Sequence, residues 1–245
     1  MMQDMLRHLG APFFRRVSLG LFTAAVGILI LGQWTDLDLM IADFYYDSAT
    51  QTFPWKSTWF ARDFMHGYVK NVIIKSGYLL ILLVVLDAIL RFKRIDRFWR
   101  IRLRFVAVAS VLVPTVIRSI KEFSVLHCPW TIDRYGGAAP FLRLLDPVPA
   151  GLQTGHCFPA GHATVGLWLA ALCVFWLPHR PKTAMLVMSC GLTVGFVLGW
   201  VQQMRGAHFL FHTLWAVWLA CLVIVIMLLF AYRYLQEEPQ HVFQR

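Results

Sequence analysis

The sequence predicts an all-α, polytopic membrane protein with six transmembrane helices and an interfacial helix and loop between the first two spans. Three observations carry that expectation. Hydrophobic residues make up 58% of the 245 positions, more than a soluble domain of this length normally holds. Six apolar stretches approach the length needed to cross about 30 Å of hydrocarbon. The basic residues, which bring the formal charge to +10, stand beside those stretches.

The six stretches are 17–34, 72–90, 103–120, 162–178, 184–203 and 209–231. The first is too long for the apolar core of a cleaved signal and lacks a small-residue cleavage site, so it is expected to remain as a span. Between the second and third lies RFKRIDRFWRIRLR, with seven Arg or Lys and one Asp. Such a segment stays cytoplasmic under the positive-inside rule. Arg7, Arg15 and Arg16 put the N-terminus on the same side, and Arg180, Lys182 and Arg233 agree. An even number of spans then leaves both termini in the cytoplasm, with a bacterial inner membrane as the expected location. Asp87, near the cytoplasmic end of the second span, is expected to pair with the basic loop. The charges show no interleaving with aromatics of the kind a nucleic-acid surface needs, so no nucleic-acid partner is expected. There is no internal repeat or low-complexity tract, and residues 1–245 read as one domain.

Three connections fall on the opposite side. The first, 35–71, carries Asp36, Asp38, Asp43, Asp47 and Asp63 among Phe44, Tyr45, Tyr46, Trp55 and Trp59; this mixture suits a helix and loop at headgroup level. The second, 121–161, is rich in Gly and Pro, and the third is a tight turn at MRGAH.

Ionisable residues are costly near a bilayer and mark function when they converge. Lys121 ends the third span, His162 opens the fourth, Arg205 ends the fifth, and His208 and His212 open the sixth, all at one membrane face. The stretch CFPAGHATVG places a turn before a helix start, so the amides of Ala160 and Gly161 are expected to face an anion. Lys121 and Arg205 would add fixed positive charge. His208 and His212, four apart, share a helix face; the first is the candidate nucleophile and the second its orienting partner. His162 is the candidate acid. Together they describe phosphoester cleavage through a phosphohistidine. His208, His212 and His162 also have ligand spacing for a metal, but Lys121 and Arg205 would repel a dication and no acidic residue is placed to help. Neither metal nor cofactor is expected. His8, His66, His127, His156, His179 and His241 carry no comparable pattern.

These residues resemble the type-2 phosphatidic acid phosphatase family, which also includes vanadate-dependent haloperoxidases. The family pattern is Lys, six residues, Arg-Pro; then Pro-Ser-Gly-His; then Ser-Arg, five residues, His, three residues, Asp. Here Lys121 precedes Cys128-Pro129 by the same interval, Pro159-Ala160-Gly161-His162 forms the second block, and His208 with position 212 completes the third. The chain departs from the pattern at Cys128 for Arg, Ala160 for Ser, Gln202 for Arg and His212 for Asp. Arg118 and Arg134 are both candidates to replace the first-block Arg, and Arg205 lies one helical turn beyond Gln202.

The resemblance implies removal of a terminal phosphate from a membrane lipid: phosphatidic acid, phosphatidylglycerophosphate, a polyprenyl pyrophosphate or lipid A. Two alternatives use the same residues: a lipid phosphotransferase, or a non-catalytic lipid-binding or transport protein that keeps the pocket. Oligomeric state is not legible. Of the five cysteines, Cys173, Cys190 and Cys221 fall in spans as packing residues. Cys128 and Cys157 lie in the outer loop beside two motif blocks, either as free thiols or, in an oxidising compartment, as a disulfide.

Overall fold

The computed structural model describes residues 11–236. Arg7, His8, His241 and both chain ends lie outside the described residues. Among those described, β-type pairing is limited to two isolated bridges, Asp47 with Thr52 and Ile132 with Ala139. Everything else regular is helical, as the hydropathy pattern requires.

Helix α1 spans Ala11–Trp34 and is followed by the short α2, Leu37–Tyr45. A widened, π-type helix at Phe60–Val69 runs straight into α3, Lys70–Leu90. Helix α4, Arg97–Glu122, begins at Asp96, whose carboxylate accepts the Trp99 amide at 3.0 Å and satisfies one orphan donor. Helix α5, Thr164–Leu167, continues as a 3₁₀ run over Trp168–Trp176. Helix α6, Pro181–Met204, opens on a proline, where the missing N–H costs nothing. Helix α7 spans Leu210–Leu235.

Among the described residues, five helices are long and apolar enough to cross a membrane: Phe14–Trp34, Pro54–Leu90, Arg97–Glu122, Pro181–Met204 and Leu210–Ala231. The expected fourth span departs from prediction. It is four α-helical residues followed by nine of 3₁₀, a rise of about 24 Å at ~1.5 and ~2.0 Å per residue. Burial explains the geometry. Leu169, Leu172 and Phe175 are half-exposed, while Trp168, Ala170, Ala171, Cys173 and Val174 are buried, a period of three that matches three residues per turn. This run lies against α6 so closely that a Cβ at Gly191 would strike the Ala170 backbone and one at Gly195 would strike Leu167. Small residues let helix backbones approach in this way.

Arg102 fixes the far end. It is fully buried, donates to the carbonyls of Val174, Leu177 and Leu235 at 3.1, 2.9 and 3.0 Å, and lies 3.6 Å from the Phe98 ring centre. The 164–176 segment therefore runs the length of the bundle, from the site to the end where α4 starts and α7 stops. At that same end Asp87 receives Arg100 at 3.0 Å and Arg104 at 3.7 Å, the expected pairing with the basic loop.

The main core joins α4, the 160–174 segment and α7 through Val113, Ile117, Leu167, Trp168 and Ile224. A second, smaller core caps the site end: Ala42, Phe53, Ile132, Tyr135 and Phe209. Phe209 sits beside His208, so the cap sets where that histidine stands.

Candidate active site

The site is built at one end of the bundle from the end of α4, the turn before α5, the α6–α7 turn and the 60–70 helix. Lys121 lies in the last turn of α4 and crosses the face of Gly161, whose missing Cβ would stand 3.7 Å from both Cδ and Nζ. Gly161 is thus the contact that lets the ammonium reach the PAGH turn. The α6–α7 turn is held by bonds from the Gly206 amide to Gln203 and the Ala207 amide to Gln202, at 2.9 and 2.8 Å, while Trp130 donates to Gly206 at 3.0 Å. Gly206 adopts φ +70° and presses on the Phe53 ring, so no L side chain fits there. This turn delivers His208 to the centre of the cluster.

Ring centres of His162 and His208 are 6.0 Å apart, and those of His208 and His212 are also 6.0 Å apart. The structure brings Lys121, Gly161, His162, Arg205, His208 and His212 together. Cys128 and Cys157 are joined as a disulfide with Cα atoms 5.3 Å apart, which resolves the two readings of those residues. The Cys157 sulfur lies 3.4 Å from His208 Nδ1. Its carbonyl faces both His208 and His212. Disulfide sulfurs carry no thiolate charge, so the grouping of Cys128, Cys157 and His208 does not offer a metal its usual ligands.

Four expectations change, the last of them the role of His212. Arg118 is 82% exposed and pairs with Glu122 at 3.5 Å, one turn away from the cluster. Arg134 grips Asp43 through two bonds of 2.9 and 2.7 Å, a bidentate pair that binds the loop to α2. Neither replaces the first-block Arg. The Ala160 amide is not open to an anion, because it donates to the His212 carbonyl at 2.9 Å and ties the PAGH turn to α7. The Gly161 amide, one residue on, has no acceptor among the described residues.

His212 makes no hydrogen bond to His208. Its Nδ1 is enclosed without a partner, and the residue lines a cavity of about 30 Å³ with Asp38, Gln33 and Arg143, room enough for a water molecule. Asp38 accepts the Phe211 amide at 3.0 Å and so caps α7 from a neighbouring helix.

Sequence reasoning passed over His66. Its ring centre is 4.6 Å from that of His162, and its Nδ1 is 3.3 Å from the Gln202 amide nitrogen. A signal existed: Arg62, His66 and Lys70 recur at intervals of four, while Phe60, Phe64 and Tyr68 do the same and stack with ring centres 6.2 Å apart. The helix is amphipathic, which is why it extends beyond the apolar run that hydropathy detects. His127 and His156, by contrast, are held within their loop by Gln153 and Thr154 at 3.0 and 2.7 Å.

Burial dominates the electrostatics, and neighbouring positive charge adds to it. Burial first, then His66, Lys70, Lys121 and Arg205, push His162 down to about 3. Burial, then His212, Lys121 and His162, hold His208 well below the usual imidazole range, with the Cys157 carbonyl opposing. His208 is therefore unprotonated at neutral pH, and its lone pair is available.

The class so defined is a helical protein whose long helices are apolar enough to cross a membrane, with imidazoles, a lysine and an arginine gathered at one end of the bundle. The PAP2 superfamily matches residues 101–236, more than half of the chain, and the chain belongs to that superfamily. Comparison with curated proteins and with solved structures finds no match. Family membership supports phosphatase-type chemistry at a coarse level.

Proposed function

We propose that this protein removes a terminal phosphate from a membrane lipid through a phosphohistidine at His208, without a metal. The observation that carries the proposal is the approach of the His162 and His208 rings, whose centres lie 6.0 Å apart, with Lys121 over Gly161 beside them. Ring centres at that separation bring a nucleophile and a proton donor within reach of one phosphate lying beside both rings.

In the first step the His208 lone pair attacks phosphorus, a P–N bond forms and the P–O bond to the lipid breaks. His162 gives its proton to the departing lipid oxygen. Lys121, Arg205 and the Gly161 amide hold the equatorial oxygens as charge builds. In the second step water attacks the phosphohistidine, His162 takes its proton, and inorganic phosphate leaves with His208 restored. A bound phosphate brings negative charge beside His162 and favours its cation, opposing the depression that burial imposes.

The proposed substrate is a lipid because the site lies at one end of helices long and apolar enough to cross a membrane. In this reading α5 and the 3₁₀ run complete a sixth crossing, α2 lies at the interface, and the site faces the exterior of a bacterial inner membrane. The basic 91–104 loop then faces the cytoplasm, with both termini.

Phosphate release by the purified protein from phosphatidic acid, phosphatidylglycerophosphate, polyprenyl pyrophosphate and lipid A tests the proposal. We expect release from at least one, unaffected by EDTA, and reduction to background in His208→Ala. Acid-labile, base-stable radiolabel on the wild-type chain after a quench would mark the phosphohistidine. Release that persists in His208→Ala would end the proposal. Radiolabel passing into a second lipid instead of water would identify the transferase variant.

A further inference from the structure

We propose that Gln202 orients two phosphate-binding groups, Arg205 and His66, and that His66 meets the substrate phosphate as a neutral donor through its Nε2–H. This rests on the phosphate-site reading above and extends it to a residue outside the three motif blocks. It also gives a reason for glutamine at a position where the family pattern has arginine.

The assignment follows from which atoms can donate. Gln202 is 3% exposed, in the last turn of α6. Arg205 Nη1 lies 2.9 Å from its Oε1. A guanidinium has no acceptor, so the glutamine atom facing it must be oxygen. That fixes the amide orientation, and the NH₂ group must face His66 Nδ1 at 3.3 Å. An NH₂ group only donates, so Nδ1 accepts and the ring proton resides on Nε2. Protonating Nδ1 as well would set two donors against each other. One glutamine therefore fixes both the direction of a guanidinium and the tautomer of an imidazole.

The other side of the His66 ring is free of described partners, and the ring lies beside His162. Its ring sits at 45° to His162, 4.6 Å between centres. Nε2 bonds no described residue and is not among the enclosed orphaned atoms, so it remains open. Nearby, Arg205 Nε and His162 Nδ1 are enclosed without partners. The carboxylate on the same helix, Asp63, is engaged by Arg62 at 3.1 and 3.2 Å. A cluster of unspent donors is complementary to an oxyanion. His66 adds a donor without adding another charge to a site already crowded with cations.

The test uses the full-length protein in phospholipid nanodiscs, with orthovanadate as the phosphate probe and the lipid panel above for turnover. His66→Ala should weaken vanadate binding and lower kcat/KM by roughly 10- to 100-fold, the effect of losing one hydrogen bond to a charged group. His66→Gln, whose amide places an N–H near the position of Nε2, should recover most of that loss. Nitrogen NMR of the labelled His66 ring should show Nε2 protonated in the wild type and a mixture of tautomers in Gln202→Ala. Vanadate affinity within twofold of wild type in His66→Ala, no recovery in His66→Gln, or a protonated Nδ1 in the wild type would each overturn the inference. Should the wild type bind vanadate more tightly than His66→Ala yet release phosphate from no lipid, the inference stands and the hydrolase reading falls.

Discussion

At the scale of single residues, Asp38 carries the clearest pH signature. It is buried beside Gln33, Arg143 and His212, and burial raises its carboxyl to about 7 from 3.8, against the lowering effect of the Phe211 and Leu210 amides and of Arg143. Between about 4 and 7 the folded chain holds a proton that the unfolded chain releases. Stability from this group is therefore full at low pH and falls as pH rises toward 7. Asp38→Asn keeps an oxygen for the Phe211 amide but cannot ionise. Its unfolding temperature relative to wild type should climb as pH goes from 4 to 7, by an amount worth on the order of a few kcal/mol, and then level off. Thermal unfolding in detergent across that range checks it; a constant difference between the two proteins would show that folding does not raise the Asp38 carboxyl. The sequence placed Asp38 only among five acidic residues of one loop. Its contact with α7 is made across 173 positions, which no local pattern encodes.

At the scale of elements, the disulfide and the helix crossings determine whether the motif blocks meet. The Cys128–Cys157 bridge closes 29 positions of chain, and the Cys157 amide bonds Leu126 at 3.1 Å, so the loop is fixed beside His208 by covalent and backbone contacts together. Replacing both cysteines by serine should cost about 3–4 kcal/mol in the loop-entropy picture. It should also lower phosphate release, because Cys157 contacts His208 directly. Unfolding and turnover measured on the same preparation test both parts; unchanged turnover would separate the bridge from the site. The motif spacing made the blocks themselves legible, since Lys121, His162 and His208 stand at family intervals. The 3₁₀ run was hidden because WLAALCVFW is apolar on every side, and periodicity cannot appear where all positions are alike. The Phe60–Val69 helix was hidden for the opposite reason: its polar face lowers the hydropathy on which span detection depends.

At the scale of the whole molecule, the site is gathered at one end and the basic loop at the other. Lys121, His162 and Arg205 adjoin helix ends on one side, while Arg102 binds the chain at Val174, Leu177 and Leu235 on the other. The bridge lies at the site end, and disulfides persist in oxidising compartments. The basic loop 91–104 lies at the opposite end, and such loops resist export. Both rules agree with the proposed orientation; the basic segment was readable from residue type and order alone, whereas the sequence left Cys128 and Cys157 as either free thiols or a bridge. Single cysteines at the exposed positions Ser48 and Lys93 test the orientation in a Cys190→Ser background. A membrane-impermeant maleimide applied to intact cells should label Ser48→Cys at once and Lys93→Cys only after the membrane is permeabilised. The reverse pattern would place the phosphate site inside the cell, where the bridge would meet a reducing pool and the proposed lipid would have to be presented from the inner leaflet.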